Sequence, residues 1–314
     1  MRDEKKAGVV ETEPVSLSDW LAVRALEAAP TGEIPVRAWD LRSVMDVPGF
    51  LDYWREVWGH RAFIWAEAKA KAYQSTRGTF LGKLWLIANP FLNAVIFYVI
   101  FGLLLQVSRG IPNFLGYLVI GVSFFPVFQG ALTSGSQALV QSRNLLRAFS
   151  FPRATVVVAW SVRGFLDFLP VAFATLLFVL VVPPHVVPTF LWLFILPVVV
   201  IGYVFGDGLA LFLAAITAKI PDLKFVWPLL GRFWFYASGV FFSIDRFLDH
   251  LWVALIMQAN PAYVFLTMVR DLVIYDTMPG ALSWIYLSVW AVAMWIIGAT
   301  VFWLREAKYG EEIQ

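Results

Sequence analysis

The chain has 314 residues, of which 60% are hydrophobic and 15% are charged, and its net charge is +2. This charged fraction is well below that of soluble domains and indicates a membrane protein, while the small net charge provides no general field for nucleic acid. The absence of cysteine excludes disulfides, thiolate catalysis and cysteine-based metal sites. The three histidines lie far apart in sequence, so we predict no metal centre.

The polar part of the chain is confined to its first 76 residues. Residues 1–49 contain scattered charge and several prolines, which predicts a mostly extended cytoplasmic tail. In 50–76, Trp54, Trp58 and Trp65 fall at helical spacing with charged residues between them. This pattern predicts an amphipathic helix in the membrane interface, with an ordinary surface helix packed on protein as the alternative.

Apolar runs then follow one another over 77–314, many of them about as long as a helix needs to cross the hydrocarbon core. We predict an all-α polytopic membrane protein with six transmembrane helices, at 84–107, 114–139, 155–182, 189–217, 225–244 and 280–304. Asn260 and Pro261 interrupt a further apolar segment, which predicts a re-entrant helical hairpin at the outer surface over 251–276. Lys and Arg concentrate in the loops on one side, so we place both termini in the cytoplasm and Arg109, with no assigned function, outside.

Aromatic residues line several predicted spans at helical spacing. The candidates for a substrate channel are Phe91, Tyr98, Phe101, Tyr117, Phe124, Phe125, Phe128, Trp227, Trp234 and Tyr236. Aromatic faces stack on the C–H faces of sugar rings without a fixed register, which suits a sliding polymer. Lipid contact and helix packing are the alternative interpretation.

Three ionisable residues lie at depth in the predicted spans, where charge is costly and normally paired. Arg163 and Asp167 are four residues apart on one helix, and Asp207 lies at comparable depth on the next. We predict that Arg163 bridges one or both carboxylates as a packing clamp, with a proton relay as the alternative. Asp207 lacks a second catalytic partner, and residues 77–84 do not have the glycine spacing of a phosphate-binding loop.

The predicted cytoplasmic loop 141–151 combines arginines with apolar side chains and lacks acidic residues. A short helix of this kind is suited to docking into a groove of a partner protein, with an apolar side that lies against the membrane as the alternative. Its candidate docking residues are Arg143, Asn144, Leu145, Leu146, Arg147 and Phe149.

Four motifs in order resemble those of type-2 ABC transporter permeases that export cell-surface polysaccharides, a Wzm-like family handling O-antigen, teichoic acid or galactan. The motifs are Leu81-Gly82-x-Leu84-Trp85 with Pro90, Asn144-Leu145-Leu146-Arg147 with Phe151-Pro152-Arg153, Asp222-Leu223, and Asn260-Pro261 with Arg270. The resemblance implies that 141–151 is a coupling helix and that 251–276 acts as an outer gate.

The same resemblance implies a homodimer in the bacterial inner (plasma) membrane, with a channel lined mainly by spans one, two and five. Two copies of a separate ATPase subunit would bind ATP and Mg²⁺, leaving no cofactor on this chain. The substrate would be a glycan on undecaprenyl or decaprenyl pyrophosphate, with Arg147, Arg153 and Arg163 as candidate contacts for the pyrophosphate. The alternatives are a lipid or drug exporter of the same class and an intramembrane glycosyl- or acyl-transferase.

Overall fold

The computed structural model describes residues 48–74, 82, 84–106, 111, 113–148, 151–243, 251–306 and 309, and every regular element in these ranges is a helix. The predicted tail, apart from its last two residues, lies outside them, as do Arg109 and Phe149.

The predicted interface helix is two helices, α1 (Phe50–Gly59) and α2 (Arg61–Gln74), which meet at His60. The His60 N–H donates to the Glu56 and Val57 carbonyls and closes α1. One face packs on protein, with Tyr53, Val57, Ile64 and Ala68 buried. The other face leaves Trp58 71% exposed and Trp65 54% exposed, so these helices combine protein packing with the outward tryptophans of an interfacial segment.

Seven helices occupy residues 84–219. They are α3 (Leu84–Phe97) with a π-helical extension (Tyr98–Leu104), α4 (Phe114–Phe124), α5 (Pro126–Gly130) with a π-helical turn (Ala131–Gly135), α6 (Ala138–Gln141), α7 (Arg143–Ala148), α8 (Ala154–Val181), and α9 (Ile195–Lys219) preceded by a 3₁₀ turn (Phe190–Phe194). The predicted coupling helix 141–151 is therefore the shorter α7.

The predicted span at 225–244 is corrected by the structure, because its helix α10 (Leu223–Ala237) has only 15 residues. At 1.5 Å per residue α10 is about 22 Å long, short of the roughly 30 Å of a hydrocarbon core. Gly239 follows with φ +63°, the left-handed region in which glycine is favoured. The chain therefore leaves the helix before the predicted end of the span.

The predicted break at Asn260 and Pro261 is confirmed: the segment is a bent pair, α11 (Leu251–Gln258) and α12 (Pro261–Val273), whose axes differ by 76°, a geometry that fits a broken span as well as a re-entrant loop. Asn260 caps α12 by accepting a hydrogen bond from the Ala262 N–H, and Pro261 occupies the first helical position. The helix α13 (Ala281–Leu304) follows.

Five helical segments in the described part of the chain are long and apolar enough to cross a membrane, or six if the bent pair counts as one. The first to fourth spans are Leu84–Leu104, Phe114–Gly135, Ala154–Val181 and Phe190–Lys219, and the last span is Ala281–Leu304.

The fourth and last spans approach each other so closely that only glycine fits. A Cβ on Gly208 would collide with the backbone of Trp295, and a Cβ on Gly298 would collide with the Gly208 carbonyl. Of the glycines in the sequence pattern Gly202-x-x-x-Gly206, Gly202 instead faces the Phe265 ring and Gly206 faces the Val127 carbonyl. Gly208 therefore sets this helix crossing.

Candidate functional site

The aromatic stripe of the second span is protein core, which corrects its assignment to a channel wall. Tyr117, Phe124, Phe125 and Phe128 are buried within the fold of the single chain. The Phe125 ring lies 5.1 Å from that of Phe235, and the Phe128 ring 5.0 Å from that of Phe265, both in edge-on contact. Edge-on packing between helices is the usual geometry of aromatic cores, so the packing interpretation holds for these four residues.

The other channel candidates lie around the first span and α10. Phe91, Tyr98 and Phe101 are partly buried, with Phe101 stacked 4.4 Å from Phe241. The indole N–H of Trp227 donates to Thr217 Oγ1 at 2.9 Å, and that of Trp234 donates to Asn260 Oδ1 at 2.8 Å. Tyr236, by contrast, is 48% exposed.

The first span and α10 share an exposed apolar face. The two elements touch through the rings of Phe97 and Phe235, whose centroids are 6.0 Å apart. The outward apolar side chains include Leu92, Val95, Val99 and Leu103 on the first span and Phe225, Leu229 and Phe233 on α10. We call this surface the first-span face; it faces either lipid or another protein chain.

A buried polar cluster ties the interface helices to the start of the third span and the end of the last. Glu306 accepts from the Tyr53 hydroxyl at 2.7 Å and from the backbone N–H of Arg153 at 3.0 Å. The Arg153 guanidinium donates to the Glu306 carbonyl at 2.7 Å and lies 3.5 Å from its carboxylate. The Ala154 N–H in turn donates to the Tyr53 oxygen. Three elements are thus held together at one point.

Burial raises the pKa of the Glu306 carboxyl above its ordinary value, against the lowering effect of its hydrogen bonds from Arg153 and Tyr53. Burial, and then the neighbouring Glu306 charge, raise the pKa of Tyr53 well above its usual range. Tyr53 is therefore a neutral hydrogen-bond donor at physiological pH.

Glu306→Ala should lower the free energy of unfolding by about 1–3 kcal/mol, because it leaves buried donors of Tyr53 and Arg153 without their acceptor. Thermal unfolding of the purified protein in detergent measures this change. Glu56→Ala, which removes an exposed carboxylate of α1, is the matched control. Equal melting temperatures for the two variants would contradict the assigned role.

Two cationic side chains converge in a recess of about 300 Å³ between α2, α6 and the third span, which we call the cation recess. It is lined by Lys71, Gln141, Ser142, Trp160 and Arg163 among others. Lys71 Nζ lies 2.9 Å from Glu67 and donates to Ser142 Oγ at 3.3 Å. Arg163 Nε lies 3.4 Å from Asp167 Oδ2. Each of the two cations pairs with its own carboxylate, one helical turn away on the same helix. Each also keeps part of its side-chain surface exposed in the recess.

Of the three arginines proposed for pyrophosphate, only Arg163 lines the cation recess. Arg153 is occupied by Glu306, and Arg147 is exposed on α7. Lys71 was missed by sequence reasoning, although its place among the charges of α2 could have indicated it. Arg143 and Asn144 lie on α7 with Leu145 and Leu146, and the two leucines are partly buried.

Of the predicted bridges from Arg163 to one or both carboxylates, the bridge to Asp167 is present and the bridge to Asp207 is not. Asp207 Oδ1 accepts from the Ser161 hydroxyl at 2.7 Å, and Oδ2 accepts from the Trp295 indole N–H at 3.2 Å. Residues two apart on a helix point about 200° from each other, so Ser161 faces the fourth span and Arg163 faces away from it. The ion pair that Arg163 makes within the described ranges is with Asp167 alone.

Arg270, which follows Asn260-Pro261 in the fourth sequence motif, is a fully buried residue of α12 with 1% exposure. Its guanidinium lies 3.4 Å from the centre of the Tyr117 ring. It donates to the carbonyls of Gly239, Val240 and Tyr117 at 3.0–3.3 Å. The Tyr117 hydroxyl donates to the carbonyls of Gly239 and Phe242. This network supplies hydrogen-bond donors to the backbone carbonyls that follow the end of α10.

Asn260 joins the end of α10 to the bend of the hairpin. Its side-chain oxygen accepts from Trp234 and from the Ala262 N–H, and its amide donates to the Ala237 carbonyl at 3.3 Å and to Ser238 Oγ at 3.0 Å. The predicted gate hairpin is thereby attached to α10.

Comparisons with known proteins agree with one another. The family described as ABC-2 type transporter matches residues 62–274. An O-antigen export system permease protein, RfbA, of Myxococcus xanthus is 26% identical over 262 residues, covering 82% of this chain and 98% of the relative. RfbA proteins of Klebsiella pneumoniae are 24% and 25% identical over 239 residues, covering 75% of this chain and 88% of each relative.

Proposed function

Because the chain belongs to the ABC-2 type transporter family, and is therefore a multi-pass transporter subunit rather than an enzyme, we propose that it exports a lipid-linked polysaccharide. Permeases of this family pair with ABC ATPase subunits. The substrate would be a glycan of O-antigen, teichoic acid or galactan type on undecaprenyl or decaprenyl pyrophosphate. The relatives named as O-antigen export permeases support this choice.

The observation that carries the proposal is the cation recess. A pyrophosphate head presents several anionic oxygens, which Lys71 and Arg163 can bind with charge-assisted hydrogen bonds. Ser142 and Gln141 add neutral donors beside them. The two cations therefore favour a substrate with a phosphate-bearing head over a neutral or cationic drug, and among phosphate-bearing substrates the names of the relatives favour a lipid-linked polysaccharide.

The first-span face supports a homodimer. A second copy packed against the exposed side chains of the first span and α10 would place a channel between the protomers, with Tyr236 at its surface. The partner ATPase, with its ATP and Mg²⁺, would seat on α7 and on α1 and α2. ATP binding would then favour the protomer arrangement with the wider channel, a shift set by differential affinity for the two states.

We place the protein in the bacterial inner (plasma) membrane with both termini in the cytoplasm, which requires that the stretch from α10 to the bent pair α11–α12 crosses the membrane once, in addition to the five long helices. The cation recess, lined by α2 and α6 beside α7, then opens on the side from which the substrate enters. The bent pair α11–α12 lies at the opposite end as the outer gate.

Lys71→Gln and Arg163→Gln should each reduce export about tenfold or more, because each removes one charge-assisted contact worth roughly 1.5–3 kcal/mol. The measurement is surface glycan in cells that express the permease with its ATPase, together with polyprenyl-pyrophosphate-linked glycan retained inside. ATP hydrolysis by the purified complex without substrate should be unchanged.

Lys219→Gln is the matched control, because Lys219 is an exposed cation at the end of the fourth span, outside the recess. Normal surface glycan in both recess variants would contradict the proposal. Lys71→Gln keeps the experiment decisive if Arg163→Gln fails to accumulate through loss of its pair with Asp167.

A further inference from the structure

A second recess, of about 440 Å³, lies between the interface helices and the third, fourth and last spans. We call it the tryptophan recess; its walls include Trp54, Trp58, Trp65 and Trp295, with Arg61 and Asp207 among them. The centroids of the Trp54 and Trp295 rings in its wall lie 5.1 Å apart. Neither the first span nor α10 contributes to it, so it is separate from the first-span face.

Asp207 is the anionic group of the tryptophan recess. Its two oxygens accept from neutral donors, Ser161 and Trp295, and no Lys, Arg or His of the described ranges lies within ion-pair distance of them. A carboxylate at membrane depth is costly and normally has a cationic partner. Asp207 keeps partial exposure and lines the recess, so a cation bound there would have access to it.

The tryptophan rings add a second attraction for a cation. Indole faces bind ammonium groups through the ring quadrupole, more strongly when the ammonium is desolvated. A carboxylate with several indoles in one recess thus favours an ammonium group over a neutral or anionic one. Arg61, an exposed residue at the start of α2, lines the same recess and presents a guanidinium suited to phosphate.

We propose that the tryptophan recess binds the head group of a phospholipid that carries a primary ammonium, as phosphatidylethanolamine does. The ammonium contacts Asp207 and the indole faces, the phosphate contacts Arg61, and the apolar walls hold the start of the acyl chains. A primary ammonium has N–H groups to donate to the carboxylate, which a quaternary ammonium lacks. This site does not depend on the proposed export function.

Lipid retention tests the proposal directly. The full-length permease is reconstituted in vesicles of equimolar phosphatidylethanolamine and phosphatidylglycerol and extracted in mild detergent, and the retained lipid is identified by native mass spectrometry. Wild type should retain phosphatidylethanolamine roughly fivefold over phosphatidylglycerol, the ratio expected for a desolvated cation–π and charge contact. Vesicles with phosphatidylcholine in place of phosphatidylglycerol should also show a preference for the primary amine.

Asp207→Asn, Arg61→Gln and Trp58→Leu should each bring the ratio close to one. Arg61 and Trp58 are exposed, so their variants keep the experiment decisive if Asp207→Asn does not fold. Trp252→Leu is the matched control, since Trp252 is 79% exposed on α11, outside the recess. Equal retention of the lipids by wild type, or an unchanged preference in any of the three variants, overturns the proposal.

Discussion

Arg270→Met should lower the free energy of unfolding by about 2–4 kcal/mol, because it removes charge-assisted hydrogen bonds worth roughly 1.5–3 kcal/mol each while it also removes the cost of burying a charge. The guanidinium donates to three backbone carbonyls and covers the Tyr117 ring, and methionine can replace its volume but none of its hydrogen bonds. The Gly239 carbonyl would still accept from the Tyr117 hydroxyl, whereas the buried Val240 carbonyl would lose its Arg270 donor where no water can replace it. Thermal unfolding in detergent, followed by tryptophan fluorescence, gives the measurement.

Arg232→Met provides the matched comparison, because Arg232 is an exposed arginine of α10. Arg270→Lys should fall between wild type and Arg270→Met, since lysine keeps the charge but not the planar guanidinium fork. Equal melting temperatures for Arg270→Met and Arg232→Met would show that the network does not hold the end of α10.

Gly298→Ala should prevent stable accumulation of the protein in the membrane. Its Cβ would occupy the position of the Gly208 carbonyl, and a backbone atom cannot move aside as a flexible side chain can. Overpacking of a core typically costs about 1–3 kcal/mol, and a collision with backbone lies at the upper end or beyond. Membrane-inserted protein that survives detergent extraction is the quantity to measure.

Gly280→Ala makes the same chemical change just before the last span, where nothing lies within 4 Å of the new Cβ. It should accumulate like wild type. If Gly298→Ala does so too, the fourth and last spans do not depend on this close crossing.

Features set by local sequence could be predicted. The bend between α11 and α12 follows from Asn260 and Pro261, which end one helix and cap the next with no help from distant residues. The tryptophans and charges of α1 and α2 likewise define a helical face by their spacing, although the break at His60 was not predicted. The family resemblance rested on the same kind of short, local signal.

Features set by distant partners could not be predicted. The end of α10 depends on Tyr117 and Arg270, which lie far from it in sequence. Periodicity placed the second-span aromatics on one face, but in a membrane both lipid and protein core are apolar, so spacing does not say which of them the face meets. Whether Ser161 or Arg163 faces Asp207 depends on the orientation of the third span about its own axis, which the spacing of residues in the sequence does not give.

The hydrogen bonds of Asn260 have a consequence for the timing of transport. They join α10 to the hairpin bend through Ala237, Ser238 and Trp234, so the bend cannot open or close without breaking several contacts at once. A displacement of α10 would therefore carry the hairpin with it as a single moving body. In the proposed exporter, widening of the channel beside α10 and opening of the outer gate would then be one event rather than two, with no interval in which a glycan enters the channel but cannot leave it.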